Sequence, residues 1–230
     1  MRIGGLQKLT LLDYPGFVAC TVFLTGCNLR CPYCHNPGLV LTEKEHCPEI
    51  SQKELLNFLN LRKGILDGVC ISGGEPTIQG DLPRLIETIR SLGYKVKLDT
   101  NGTNPGMLME LFSASLLDYV AMDIKNCPDR YKETCGGFDI HHQAQKSVEL
   151  IMNSGVDYEF RTTVCKPFHD EESMGEIGIW LKNARKYFIQ PFVDSGNLLS
   201  GGVQPFNHDE LGKLRQAVLP YISNTIIRGE

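Results

Sequence analysis

Three cysteines lie within eight residues of one another in the stretch CNLRCPYC, as Cys27, Cys31 and Cys34. Their spacing is C-x3-C-x2-C, and no fourth cysteine follows at close range. Thiolates are soft ligands that favour zinc ions and iron–sulfur clusters. A [4Fe–4S] cluster normally takes four cysteines. Three cysteines would therefore hold such a cluster with one iron open to a small-molecule ligand.

A zinc ion is the alternative occupant of this loop. His35 could complete a Cys3His set, which is chemically sound for structural zinc. His35 directly follows Cys34, however, and the side chains of adjacent residues reach one tetrahedral ion with difficulty. The residues favour the cluster and leave zinc as an open alternative.

The length and the charge of the chain bear on its fold and partners. With 230 residues, it is expected to form a single domain over 1–230 with a substantial core. It has 23 lysine and arginine residues against 27 aspartate and glutamate residues, a formal net charge of −4. A nucleic-acid partner would favour a basic face, so we expect no nucleic-acid partner.

The sequence also bears on where the protein works. Its start, MRIGG, lacks the apolar segment of a signal peptide, and no run of 18 apolar residues predicts a membrane span. We therefore expect a cytoplasmic protein without membrane association. Nine cysteines in a reducing compartment are more typical of metal binding or redox chemistry than of disulfides.

Short apolar runs alternate with longer amphipathic stretches along the chain. Strands are predicted at 18–25, 68–72, 94–99, 118–124, 156–164, 187–192 and 221–228. Helices are predicted at 51–62, 81–92, 105–113, 141–153, 170–185 and 208–218. Such alternation indicates parallel strands joined by crossover helices. About six repeats fit an α/β fold with an open, partial (β/α)6 barrel, a parallel sheet with outer helices.

Polar motifs follow the predicted strands. They are SGGEP at 72–76, DTNG at 99–102, MDIK at 122–125, RTTV at 161–164 and QPF at 190–192. In parallel α/β folds, functional sites lie at the carboxyl ends of the strands. We therefore expect these motifs and the cysteine loop to meet on one rim.

The motifs together resemble those of the radical S-adenosylmethionine (SAM) enzymes. Tyr33 is an aromatic residue before the last cysteine of C-x3-C-x2-C, and GGEP follows the second predicted strand. The resemblance extends through GLQKLTLLDYPG, LDTNGTNP, AMDIK, RTTV and IQPF, which cover nearly the whole chain. This pattern is similar to that of the anaerobic ribonucleoside-triphosphate reductase activating proteins, a branch of the glycyl-radical enzyme activases.

The resemblance implies a specific chemistry. In that family, the amino and carboxylate groups of SAM bind the open iron, and the reduced cluster passes one electron to the sulfonium. The resulting 5′-deoxyadenosyl radical removes a hydrogen atom from a glycine of a partner enzyme, here an anaerobic ribonucleotide reductase. The low potential that this requires implies an anaerobic setting and a flavodoxin or ferredoxin as electron donor.

The GGEP motif has an expected role for each residue. Gly73 and Gly74 lack β-carbons, so the backbone can approach a ligand closely. Glu75 is expected to bind the ammonium group of SAM, and Pro76 to make the turn rigid. A plain strand-to-helix turn is the alternative.

Two acidic residues end apolar strands, and buried carboxylates need partners. The resemblance implies that Asp99 and Asp123, with the carbonyl groups of Thr100 and Ala121, form a monovalent-cation site beside the SAM carboxylate. Lys125 lies two residues after Asp123, on the same face. It is expected to neutralise that carboxylate.

Three further residues are assigned to cofactor binding. The resemblance gives this role to Asn101 in the DTNG motif, and to Gln190, which with Phe192 matches a Q-x-F pattern and is expected near the adenine. Arg161 is expected to make either a ligand contact or a salt bridge on the rim.

Two other functions stay open at this point. A radical SAM enzyme could act on a small molecule or a peptide instead of a protein glycine. A non-enzymatic protein could use the cysteine loop only to bind metal.

Overall fold

The computed structural model describes residues 1–40, 50–194, 196 and 198–229. Within these ranges, an 8-stranded sheet has the same order in space as in the chain. Its strands are β1 (Ile3–Thr10), β2 (Ala19–Leu24), β3 (Gly68–Gly73), β4 (Lys95–Thr100), β5 (Tyr119–Asp123), β6 (Asp157–Val164), β7 (Tyr187–Pro191) and β8 (Thr225–Ile227). The helices are α1 (Pro37–Val40), α2 (Gln52–Leu61), α3 (Leu82–Ser91), α4 (Pro105–Ser113), α5 (Tyr131–Thr134), α6 (His141–Asn153), α7 (Glu171–Trp180) and α8 (His208–Val218).

The described strands from β2 to β8 all run parallel. At least one helix lies between each consecutive pair in the chain, which is the crossover connection that parallel pairing requires. The parallel sheet with its surrounding helices confirms the predicted α/β fold. Among the described helices, none combines the length and the apolar character that a membrane crossing needs.

β1 is absent from the sequence-based prediction. It pairs antiparallel with β2, and its register shifts between Ile3 and Gly5 and again between Gln7 and Thr10. Burial along β1 is confined to its two ends instead of alternating. The strand therefore lacks the period-two pattern by which half-buried strands are recognised.

The two faces of the sheet carry different chemistry. In β4, the buried apolar side chains of Val96 and Leu98 alternate with Lys97 and Asp99. Since successive side chains of a strand point to opposite faces, one face of β4 is apolar and packs into the core cluster with the helices. The other face is charged, and it leads along β4 to the carboxyl ends of the strands.

Three helix boundaries test the capping signals of the sequence. Ser51 forms the predicted capping box at the start of α2. Asp81 precedes α3 as predicted, but its side chain caps no backbone group and accepts from the N-terminal amine at 3.4 Å. The helix predicted over 170–185 ends at Trp180. Asn183 has a φ of 70°, which a right-handed helix cannot accommodate.

Candidate functional site

The cysteine loop follows β2 and lines a cleft at the carboxyl ends of the strands. Cys27, Cys31 and Cys34 all face this cleft, and the loop is fixed beside them by Leu29, which is buried in the core. The Leu29 N–H donates to the Cys27 sulfur at 3.4 Å. A hydrogen bond from the Cys135 thiol lowers the pKa of Cys31. The structure thus brings the three predicted thiols to one site.

The spacing of the thiols bears on what they could hold. Among the residues that the structure describes, no three His, Cys, Asp or Glu side chains are close enough together to hold a single metal ion. The His35 ring stacks on Phe192, with 5.4 Å between ring centroids. This arrangement disfavours the Cys3His zinc site. Three thiols around one cleft are the donor set for a larger iron–sulfur group.

Gly73 and Gly74 let the end of β3 lie directly against the cysteine loop. A Cβ atom on Gly74 would be 2.0 Å from the carbonyl oxygen of Gly26, and one on Gly73 would be 2.2 Å from that of Leu24. The Gly74 N–H donates to the Leu24 carbonyl at 2.9 Å. Gly73 also has a φ of 120°, which favours glycine. Both glycines line the cleft, and their tightest contacts are with the main chain of the loop.

Glu75 is fully buried below the rim. It accepts hydrogen bonds from the Thr77 N–H at 3.1 Å, the Thr100 hydroxyl at 2.7 Å and the Asn101 N–H at 2.6 Å. These contacts occupy both carboxylate oxygens and join the turns after β3 and β4. The structure therefore shows Glu75 supporting these two turns, and its contact with the ammonium group of SAM stays a prediction. Pro76 begins a short 3-10 turn beside it.

Asn101 connects the turn after β4 to the cysteine loop. Its amide nitrogen donates to Asn28 Oδ1 at 3.1 Å and lies 3.9 Å from the Cys27 sulfur. Its amide oxygen accepts from the Thr103 N–H at 3.0 Å. The amide oxygen and the amide nitrogen are both held, so the N–H is aimed at the loop. Asn101 lines the cleft, and its contact with the cofactor stays a prediction.

A chain of buried charges runs along the inner face toward the cleft. Arg161 lies between two carboxylates, with Nη1 3.3 Å from Asp99 Oδ2 and Nε 2.7 Å from Asp123 Oδ1. Lys97 pairs with Asp99, and Lys125 Nζ lies 3.1 Å from Asp123 Oδ2. Buried charges are stable only when paired. A salt bridge is one of the two roles expected of Arg161; the residue also lines the cleft, and the ligand contact stays a prediction.

The charge states of this chain follow from its contacts. Burial opposes ionisation of Asp123, but the charges of Arg161 and Lys125 outweigh it and lower the pKa of that carboxyl. Burial would also deprotonate Lys125, but the charge of Asp123 raises the pKa of its ammonium group. Lys125 is thus a protonated lysine on the wall of the cleft that carries the three thiols.

The proposed cation ligands, Tyr33 and Gln190 complete the set of predicted residues. Asp99 and Thr100 pair in register with Ala121 and Met122 of β5, so the four proposed cation ligands lie on adjacent strands. Tyr33 is buried, and its hydroxyl donates to the Lys125 carbonyl at 3.4 Å. Gln190 pairs in register with Thr163, a cleft residue.

Two side chains of the site, Ser72 and Lys97, were given no role from the sequence. Ser72 donates to Asp99 Oδ2 at 3.1 Å, and Lys97, only 1% exposed, pairs with the other oxygen of Asp99. The signal was present for Lys97, since it lies two residues before Asp99 and therefore on the same face of β4. A lysine in an apolar strand is easily assigned to the surface, because lysine is almost never fully buried unless it is paired.

The sequence matches a protein-family model over residues 21–178, the model of the radical SAM superfamily. The chain belongs to this superfamily. Membership implies a [4Fe–4S] cluster and SAM, and the three thiols around the cleft fit such a cluster. Cys27, Cys31 and Cys34 would hold it, and Lys125 places a positive charge beside it.

Individual relatives extend the radical SAM match along the chain. A Methanocaldococcus jannaschii protein named as a glycyl-radical enzyme activating enzyme is 35% identical, in an alignment that covers 98% of this chain and 95% of that relative. The pyruvate formate-lyase-activating enzyme of Clostridium pasteurianum is 33% identical over 80% of this chain and 77% of its own length. Both relatives carry activating-enzyme names, and they align with 98% and 80% of this chain, so they support the enzyme class.

A solved structure supports the fold. SuiB of Streptococcus suis bound to S-adenosylmethionine superimposes with a TM-score of 0.70 at 16% identity, over 91% of this chain. This chain spans 52% of the length of SuiB. At this identity the likeness concerns the radical SAM fold alone.

We predict that Gly74→Ala destabilises the cluster-free protein. The added Cβ would meet the Gly26 carbonyl at 2.0 Å, and backbone must shift to relieve it, at a cost of about 1–3 kcal/mol. Gly80→Ala is the matched control, because a Cβ there has nothing within 4 Å. Urea denaturation measures both, and equal free energies of unfolding for the two variants would contradict the close approach.

We also predict that Cys31→Ala loses its iron and sulfide after anaerobic reconstitution, because two thiols are too few to retain the cluster. Cys20→Ala should keep both, since Cys20 lies in β2 within the core. Metal and sulfide analysis measures the outcome. Full iron and sulfide in the Cys31 variant, or one zinc ion per wild-type chain without sulfide, would refute the assignment.

Proposed function

We propose that this protein is a radical SAM activase that takes a hydrogen atom from a glycine of a partner enzyme. The observation that carries the proposal is the cleft in which three thiols face a protonated lysine, within a chain that matches an activating enzyme over 98% of its length. The activase branch is supported by the names of the two relatives. We further propose an anaerobic ribonucleoside-triphosphate reductase as the partner.

The cofactors and the protein have separate tasks. When bound, the cluster and SAM supply the one-electron chemistry that generates an alkyl radical. The cysteine loop holds the cluster, and Gly73 and Gly74 fix that loop against β3. Lys125 offers its ammonium group to the carboxylate of SAM. Asp123 keeps the ammonium protonated and directed along the cleft wall.

The outer cleft is assigned to the adenosyl part of SAM. We assign the adenine to the outer face of the exposed His35 ring, whose inner face stacks on the buried Phe192 ring. Gln190 is proposed to act beside them, where it pairs in register with the cleft residue Thr163. The Asn101 side chain is proposed to lie under the methionyl part, next to Cys27.

A monovalent cation at Asp99, Thr100, Ala121 and Asp123 stays a prediction. Arg161 already pairs with both of the carboxylates that would bind the cation. A cation would have to share these oxygens with the guanidinium group. SAM affinity measured in potassium, sodium and tetramethylammonium buffers tests this site, and equal affinities in all three would remove the cation from the account.

The setting of the reaction is proposed from its chemistry. An open iron corner is sensitive to oxygen, and the reduction needs a strong one-electron donor. We propose a cytoplasmic, anaerobic protein that receives electrons from a flavodoxin or ferredoxin. Neither a nucleic acid nor a membrane is needed for this reaction.

The test is formation of a glycyl radical on the partner. Reconstituted protein, reductant, SAM and a purified anaerobic reductase are mixed under argon and examined by electron paramagnetic resonance. We predict a glycyl doublet that is absent when the reductase carries alanine in place of its radical glycine. Formation of 5′-deoxyadenosine without the doublet would contradict this partner and point to a small molecule or peptide as substrate.

A further inference from the structure

A buried histidine lies behind the lysine of the site. His169 belongs to the turn that follows β6, residues 165–169, and is 3% exposed. Its Nε2 lies 3.0 Å from the carbonyl oxygen of Lys125, and its Nδ1 accepts from the Cys165 N–H at 3.2 Å. The ring therefore joins the main chain of its own turn to the main chain of the lysine.

The contacts determine which ring nitrogen carries the proton. A backbone N–H can only donate, so Nδ1 is the acceptor for Cys165. The Cys165 carbonyl already accepts the N–H groups of Phe168 and His169, both at 3.1 Å. Burial lowers the pKa of His169 to about 4, so the ring is neutral near pH 7. Nε2 then carries the proton and donates to the Lys125 carbonyl.

A second hydrogen bond ties the same two segments together. Asn126 follows Lys125 and is fully buried. Its amide nitrogen donates to the Phe168 carbonyl at 2.8 Å, and its amide oxygen accepts from the Cys127 N–H at 2.8 Å. The turn therefore holds the main chain at two consecutive residues, which fixes its direction as well as its position.

The cysteine loop meets this clamp at the same carbonyl. Tyr33 lies between two of the cluster thiols in sequence, and its hydroxyl donates to the Lys125 carbonyl at 3.4 Å. The Tyr33 ring packs against Phe168 and His169, with centroid distances of 6.0 Å and 6.3 Å. The Lys125 carbonyl is thus shared by the loop that carries the thiols and the turn that carries the histidine.

We infer that His169 is a positioning residue, which fixes the main chain of Lys125 relative to the cysteine loop so that the ammonium group meets the carboxylate of SAM. This inference rests on the proposed role of Lys125. A lysine side chain has four rotatable bonds, and within the described part of the chain Lys125 is held at its two ends, by Asp123 and by the clamp. Releasing the main-chain end lets the ammonium group move away from the cofactor.

The test compares three variants with reconstituted wild-type protein. His169→Leu removes both ring contacts. His169→Gln keeps one donor and one acceptor at the spacing of the ring nitrogens. Tyr187→Phe is the control, because it loses a buried hydrogen bond to the Thr162 hydroxyl on the apolar face. Iron content and SAM affinity by equilibrium dialysis are measured for each.

We expect His169→Leu to retain iron and to weaken SAM binding about tenfold, the loss expected for one hydrogen bond to a charged group. The glutamine variant and Tyr187→Phe should stay near the wild-type affinity. In the cluster-free proteins, amide exchange at residues 125–127 should accelerate only in His169→Leu. Should that variant fail to fold, His169→Asn replaces it, since the shorter side chain cannot bridge both contacts.

A double-mutant cycle with Lys125→Ala separates the possible failures. If His169 acts through the lysine, His169→Leu should cause no further loss of SAM affinity once Lys125 is alanine. Equal losses in both backgrounds, or unchanged amide exchange at residues 125–127, would overturn the inference. Unchanged SAM affinity in Lys125→Ala alone would instead overturn the proposed role of the lysine.

Discussion

The guanidinium group of Arg161 lies between the carboxylates of Asp99 and Asp123 on the inner face of the sheet. Moving a charge out of water costs several kcal/mol unless partners compensate it, so these three groups hold one another in place across β4, β5 and β6. Asp123 then holds the ammonium group of Lys125. The direction in which that lysine faces the cleft depends on this ion triad.

The cysteine loop is positioned by main-chain contacts. Gly73 and Gly74 allow β3 to touch the start of the loop. Tyr33, within the loop, donates to the Lys125 carbonyl, which His169 also contacts. Electrostatics therefore fixes the charged group, and backbone contacts fix the thiols relative to it. A pre-organised site of this kind binds a cofactor without first ordering its own side chains.

The sequence predicted the parallel fold and the rim, because strand–helix alternation and the motifs after each strand are local signals. It could not predict how groups far apart in the chain would pair. The sequence did not indicate, for example, that Thr100 and Asn101 would donate to Glu75, because these partners depend on the register of β3 and β4. His169 carries no local signal, because its role is defined by the carbonyl of a residue 44 positions away.

Unfolding of Arg161→Met tests the ion triad most directly. In the wild type, Arg161 lowers the pKa of both carboxyls against the effect of burial, so the triad stabilises the fold above the unfolded pKa, about 3.9, and less as pH falls. We predict that urea denaturation of the cluster-free proteins gives a stability gap of about 3 kcal/mol near pH 7 that narrows as the pH falls below about 4. A gap that is the same at every pH would contradict the account.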